Sequence, residues 1–220
     1  MRLNFLLAFI CASLVTLIGS SLVFADDAPP APTARQVMQK IVTDVIGILR
    51  DPKLSAEDKR QKVQQIAYDN INFQTMARLS LGRPWRDLTD DQRTRYSAEF
   101  KQHVSNTYGH TTDNYNNEDV NVIGDHQEAD GDWTVQTSIV GSENGGPRKE
   151  LVKVDYRLRK QDDQWKVIDF TVDGVSLISN FRAQFQEIMS DGGIEQLIQL
   201  LHDKNAANDK EAGDKNSNAK

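Results

Sequence analysis

The chain has 220 residues, with 26 Lys and Arg against 32 Asp and Glu, for a net charge of −6. An acidic chain of this kind is a poor nucleic-acid binder, because that function rewards clustered Lys and Arg, and it is equally poor at standing attachment to an anionic membrane surface. Its single cysteine, Cys11, lies near the start, so the rest of the chain has no disulfide, no thiol nucleophile and no thiolate metal site, and must be stabilised by an ordinary core.

The elements follow in chain order. Met1-Arg2 is a short positive start, and Leu3 to Ile18 is apolar apart from Asn4, Ser13 and Thr16. Val23-Phe24-Ala25 offers small or aliphatic residues where signal peptidase reads, and Asp26-Asp27-Ala28-Pro29-Pro30 breaks any continuing helix. The apolar run falls short of the ~20 residues a spanning helix needs. The expectation is therefore a cleavable secretory signal over 1–25, export to the periplasm and a linker over 26–32. Ile10 before Cys11 does not suit a lipoprotein signal. Without Arg2 the chain carries 25 basic and 32 acidic residues, a net of −7.

Residues 33–203 read as one folded domain. Thr33-x-x-Gln36 is a capping box, followed by Val37, Ile41, Val45 and Ile48 at helical spacing, until Asp51-Pro52 ends the helix. Ser55, with Glu57 and Asp58, opens a second helix with an apolar face of Val63, Ile66, Ala67 and Ile71. A short third helix spans Phe73 to Leu81 and stops at Gly82, a break enforced by Pro84. Thr89-x-x-Gln92 begins a long helix with Tyr96, Phe100, Val104 and Tyr108 on one face.

From Glu118 the period falls to two. Val120 and Val122 alternate, as do Trp133, Val135, Thr137 and Ile139, and then Val152, Val154, Tyr156 and Leu158. The segment Trp165 to Val172 is apolar on both faces, which predicts a strand covered on both sides. Two further helices hold Leu177, Ile178, Phe181, Phe185, Ile188 and Met189, and then Ile194, Leu197, Ile198 and Leu201, separated by Gly192-Gly193. Residues 204–220 lack large apolar side chains and read as a disordered tail. The fold class is α+β: a curved antiparallel sheet of about four strands, wrapped by N- and C-terminal helices.

Catalytic patterns are weak. His103, His110, His126 and His202 show no ligand spacing, and Gly174-Val175-Ser176-Leu177-Ile178 completes only half of a nucleophile elbow, so Ser176 reads as a helix cap. Asp169, between Ile168 and Phe170, is expected to pair with an Arg or a Tyr. No catalytic residue, metal or cofactor is expected. What remains is an excess of apolar residues on converging faces, which either fill a core or line a cavity; periodicity alone does not separate the two.

Several long motifs resemble one family. Ile71-Asn72-Phe73-x-x-Met76-Ala77-Arg78-x-x-Leu81-Gly82-Arg83-x-Trp85 leads into Leu88-Thr89-x-x-Gln92. Tyr156-Arg157-Leu158, Trp165-Lys166-Val167-Ile168-Asp169, Gly174-Val175-Ser176-Leu177-Ile178-x-Asn180-Phe181-Arg182-x-x-Phe185 and Gly192-Gly193-Ile194-x-x-Leu197-Ile198 follow. Together they resemble the MlaC family, the toluene-tolerance or phospholipid-binding periplasmic proteins, over about Val37 to Leu201, with Asn72 standing where many members carry an acidic residue. The resemblance implies a helix-wrapped, highly curved sheet whose interior takes acyl chains, with glycerophospholipid as cargo. It also implies a monomeric shuttle that maintains outer-membrane lipid asymmetry. Its partners would be an outer-membrane lipoprotein–porin complex and an inner-membrane ABC transporter with its periplasmic lipid-binding subunit. The lining residues expected are Leu81, Trp85, Phe100, Val104, Tyr108, Val135, Ile139, Val154, Tyr156, Ile168, Phe170, Leu177 and Phe181. The alternatives are a carrier of another apolar ligand, such as a hopanoid or an aromatic solvent; a non-catalytic periplasmic adaptor with a filled core; and a small hydrolase on a similar fold.

Overall fold

The computed structural model describes residues 31–142 and 146–217; the expected signal and most of the linker lie outside them. Four N-terminal helices come first: α1 (Ala34–Arg50), α2 (Ala56–Asn70), α3 (Phe73–Leu81) and α4 (Asp90–Tyr108). The first, second and fourth start at capping boxes, with Thr33, Ser55 and Thr89 accepting from the backbone N–H three residues on. In α2 the partner is Asp58, and the Ser55 hydroxyl and N–H bonds to its carboxylate hold it below the usual carboxylate range. Gly82, at φ 66°, ends α3 in a backbone conformation that costs a side-chain-bearing residue, and a short 3-10 turn over Arg83–Asp87 leads to α4.

An antiparallel meander follows: β1 (Asp119–Gln127), β2 (Trp133–Gly141), β3 (Lys149–Gln161), β4 (Gln164–Val172) and β5 (Val175–Ser176), paired in that order. The two-residue β5 is an addition to the four strands expected: the chain turns back tightly through Asp173 and Gly174, both at positive φ, leaving room for two residues to pair before the next helix. Each of the three long pairings carries an irregularity, at Val122/Gly124, Ile139/Val140 and Arg157/Leu158. Bulges bend and over-twist the strands that hold them, and three in adjacent pairs curl the sheet.

Both flanks of the four long strands have some of their backbone groups taken. At β1, Arg35 donates to the carbonyl of Val122, and Arg50 and Tyr115 donate to that of Glu118, the residue just before the strand. On β4, the Asn72 N–H donates to the Val167 carbonyl, where Ile71 forms a parallel bridge.

The closing helix α5 runs Leu177–Ser217 with a break at Gly193 (φ 69°), giving the two helices expected from Gly192-Gly193. The expected disordered tail is instead helical from Lys204 to Ser217. Its attachment is polar: buried Asn205 donates to the backbone carbonyl and the carboxylate of Glu99, and Asn106 donates to Asp209. Among the described residues no helix is long and apolar enough to cross a membrane.

Two cores result. One lies among α3, α4 and α5, with Tyr96, Phe100, Phe181 and Phe185 in mutual ring contact at centroid distances of 5.3–6.4 Å. The other lies between α1 and the sheet, where Ala34 and Met38 pack on Val135, Leu158 and Val167. Among the described residues, Ile71 and Phe170, both half-buried, are the hydrophobic side chains that pack against both.

Candidate lipid-binding hollow

The inner face of the sheet follows from the register. Val135, Tyr156 and Phe170 lie side by side across β2, β3 and β4, as do Thr137, Val154 and Val172 one pleat on. With Ile139 and Val152 this makes an almost wholly apolar wall. A filled core would bury it throughout. Here Val135 and Val154 are buried, but Ile139, Val152, Tyr156 and Phe170 are only half-buried, and Val172 is 45% exposed.

The facing helix shows the same deficit. No residue of α2 is buried, although Val63, Ile66 and Ala67 form its apolar stripe. Along α1, Ile41, Val45 and Ile48 are also half-buried. A cavity of about 200 Å³ opens at the seam between the two cores. Its walls are Val63, Ala67 and Ile71 of α2 and its end, Phe73 of α3, Val104 and Tyr108 of α4, and Phe170 of β4.

Polar groups around the hollow are few. Arg60 is the one charged residue lining the cavity. Its guanidinium is held by Glu57 at 2.6 Å and Asp113 at 3.0 Å, and the hydrogen bond it donates to Glu57, outweighing burial, keeps its pKa above the usual arginine value. Tyr68 donates to Ser105 and accepts from Gln64. Burial pushes the Tyr156 phenol up, and its hydroxyl makes no hydrogen bond with the described residues, so it stays neutral.

Among the described residues there is no group of three or more His, Cys, Asp or Glu able to hold a metal. Asp169 does not pair with an Arg or a Tyr as expected. Its carboxylate accepts from the Ser176 hydroxyl (2.6 Å) and the Ile178 N–H (3.1 Å), because β5 brings the start of α5 directly over β4. Ser176 in turn accepts from the Ser179 N–H, the capping role its position suggested.

The thirteen lining candidates fall into two groups. Val104, Tyr108 and Phe170 line the cavity, and Val135, Ile139, Val154 and Tyr156 lie on the sheet wall. Leu81, Phe100, Leu177 and Phe181 are buried in the helical core with Trp85 packed against them, and Ile168 is fully buried at the irregularity between β3 and β4. Sequence reasoning missed the wall made by α2. The stripe Val63, Ala67, Ile71 was legible as an apolar face; that it stays only half-buried was not.

The sequence model of the MlaC protein family matches residues 39–203. The chain belongs to the MlaC family. Relatives and a solved structure agree with this membership. The toluene tolerance protein ttg2D of Pseudomonas putida is 30% identical over 108 residues, 49% of this chain and 48% of that protein, so the match spans about half of that relative. The intermembrane phospholipid transport system binding protein MlaC of Haemophilus influenzae is 20% identical over 173 residues, 78% of this chain and 80% of that protein. The phospholipid-binding protein of Ralstonia solanacearum, solved in complex with a phospholipid, superposes with a TM-score of 0.68 at 28% identity, covering 80% of this chain and 99% of that one.

Proposed function

We propose that the chain is a periplasmic phospholipid carrier that holds acyl chains in the hollow between α1, α2 and the inner face of the sheet, and catalyses no covalent reaction. The carrying observation is the incompletely closed apolar interior: α2 has no fully buried residue, and Ile139, Val152, Tyr156 and Phe170 of the sheet are only half-buried. The phospholipid bound to the Ralstonia solanacearum relative and the transport role in the name of the Haemophilus influenzae relative support this reading. The signal-like start supports export.

The energetics require such a carrier. Each methylene moved into water costs ~0.8 kcal/mol, so two chains with roughly 30 methylenes cost on the order of 20 kcal/mol. That barrier closes free diffusion across an aqueous space. A carrier needs to match the bilayer, not exceed it, because tighter binding prevents release. An apolar wall with few polar anchors meets that requirement, and head groups left outside would be weakly discriminated. In the finer reading, the chain exchanges lipid with an outer-membrane lipoprotein–porin complex and with an inner-membrane ABC transporter and its lipid-binding subunit, maintaining outer-membrane asymmetry.

Native mass spectrometry of the purified protein, followed by analysis of its organic extract, tests this. A bound mass equal to one or more glycerophospholipids is expected. A protein that carries no lipid and takes none up from phospholipid vesicles ends the carrier reading; a hopanoid or an aromatic solvent in the extract changes the cargo.

A further inference from the structure

A second concavity lies away from the hollow, where α5 passes the end of α3 and the 3-10 turn after it. Its volume is about 680 Å³. Leu81, Phe185 and Met189 form an apolar floor, and Arg83, Arg86 and Arg182 lie around them. No Asp or Glu lines it, which is anomalous in a chain of net charge −6. Arg182 is committed to the fold, since its Nε and Nη2 donate to the Leu79 carbonyl. Arg83 and Arg86 are exposed and form no ion pair among the described residues. By contrast, Arg50, Arg60, Arg95, Arg157 and Arg159 each hold a carboxylate.

We propose that this groove is a docking site for an acidic amphipathic helix of a partner protein. The helix would lay its apolar face on Leu81, Phe185 and Met189, with its carboxylates beside Arg83 and Arg86. The groove runs along α5 from Arg182 to Ser190, eight residues or about 12 Å, the reach of two turns of a docked helix. Helix-in-groove recognition uses an apolar floor of this kind, and methionine lets such a floor adapt. Arginine at a desolvating rim is a recurrent source of binding energy and of charge selection. A concave slot suits a convex helix better than a flat bilayer. The proposal stands on the groove alone and does not depend on what fills the hollow.

Fluorescence anisotropy with the purified protein tests it. The probe is an acidic helical peptide about three turns long, with Leu and Phe on one face and Glu on its flanks. The comparison probes are the same peptide with Lys for Glu and vesicles of phosphatidylglycerol. The acidic peptide is expected to bind saturably and more weakly as salt rises. The double variant Arg83→Gln, Arg86→Gln should weaken binding at least about tenfold, and Arg83→Glu, Arg86→Glu should turn preference toward the Lys peptide. Both variants should keep the wild-type circular dichroism and lipid content. The proposal is overturned by absence of saturable binding, by equal binding of both peptides, or by arginine-dependent binding to vesicles alone, which would assign the groove to a lipid surface.

Discussion

Two tyrosines separate a packed interior from a hollow one. The Tyr96 hydroxyl meets the Ser80 hydroxyl at 2.7 Å, and Ser80 also donates to the Ala77 carbonyl; both residues are fully buried. Tyr156 has a desolvated hydroxyl with no such partner. Tyr96→Phe should cost about 1 kcal/mol, the usual worth of a buried hydrogen bond whose partner is left behind, whereas Tyr156→Phe should stay within about 0.5 kcal/mol of wild type or gain stability. Urea denaturation of the two variants makes the comparison. The two inward residues Val154 and Ala67 test the cavity itself. Val154→Glu should abolish co-purifying lipid while Lys153→Glu, on the opposite face of β3, leaves it unchanged; equal lipid content in both would refute the assignment of the wall. Ala67→Trp should fill the seam and lower lipid content while the circular dichroism spectrum stays that of wild type.

A third residue ties pH to one interface. His103 packs edge-on to Phe181 at 5.8 Å, its Nδ1 is buried without a partner, and burial first, then Lys204, depresses its pKa below 6.5. The unfolded chain therefore takes up the proton more readily than the folded one. Stability present above pH 6.5 is lost as pH falls through the depressed value. The neighbouring His202 has the opposite sign, because its hydrogen bond to Glu99 raises it; its contribution is full below pH 6.5 and fades as pH rises through the raised value. A His103→Leu variant should thus lose less melting temperature than wild type between pH 7 and pH 5. An identical loss in both proteins would remove His103 as the cause.

At the level of elements, the helix starts were legible because each carries its cap in the sequence: Thr33 with Gln36, Ser55 with Asp58, Thr89 with Gln92. The stops were legible at Gly82 and Gly193 for the matching reason, that the left-handed backbone at a helix end favours glycine. Gly193→Ala should destabilise the protein by about 1–3 kcal/mol, since open space around the new methyl leaves backbone strain as the sole cost; thermal unfolding measures it. The strand β5 was not legible, being two residues long and set by the turn at Asp173-Gly174. The helical reach of α5 beyond Lys204 was missed because composition registers the lack of apolar residues but not the polar anchor that Asn205 finds on Glu99, about a hundred positions away in sequence.

For the whole molecule, periodicity separated helices from strands and predicted their order, because each period reports which side of an element meets other apolar atoms. It gave no means of telling whether two apolar faces touch. Val104 on α4 and Val63 on α2 look alike in sequence, yet Val104 is buried and Val63 is not. That difference arises from distances between elements, and so from the curl imposed by three bulges and from the seam at Ile71 and Phe170. Ligand that enters this seam should bind the folded state alone, so lipid removal should lower the melting temperature and re-addition restore it.

The occupied flanks of the sheet bear on life between cargoes. An emptied, greasy vessel crowded among its own copies would ordinarily risk zipping into fibres, strand upon strand. With the Val122 and Glu118 carbonyls taken by arginines from α1, and that of Val167 taken by Asn72, a newcomer finds little free backbone to grip at those points. Fewer open backbone groups on either side of the sheet leave a second copy fewer places to begin such pairing.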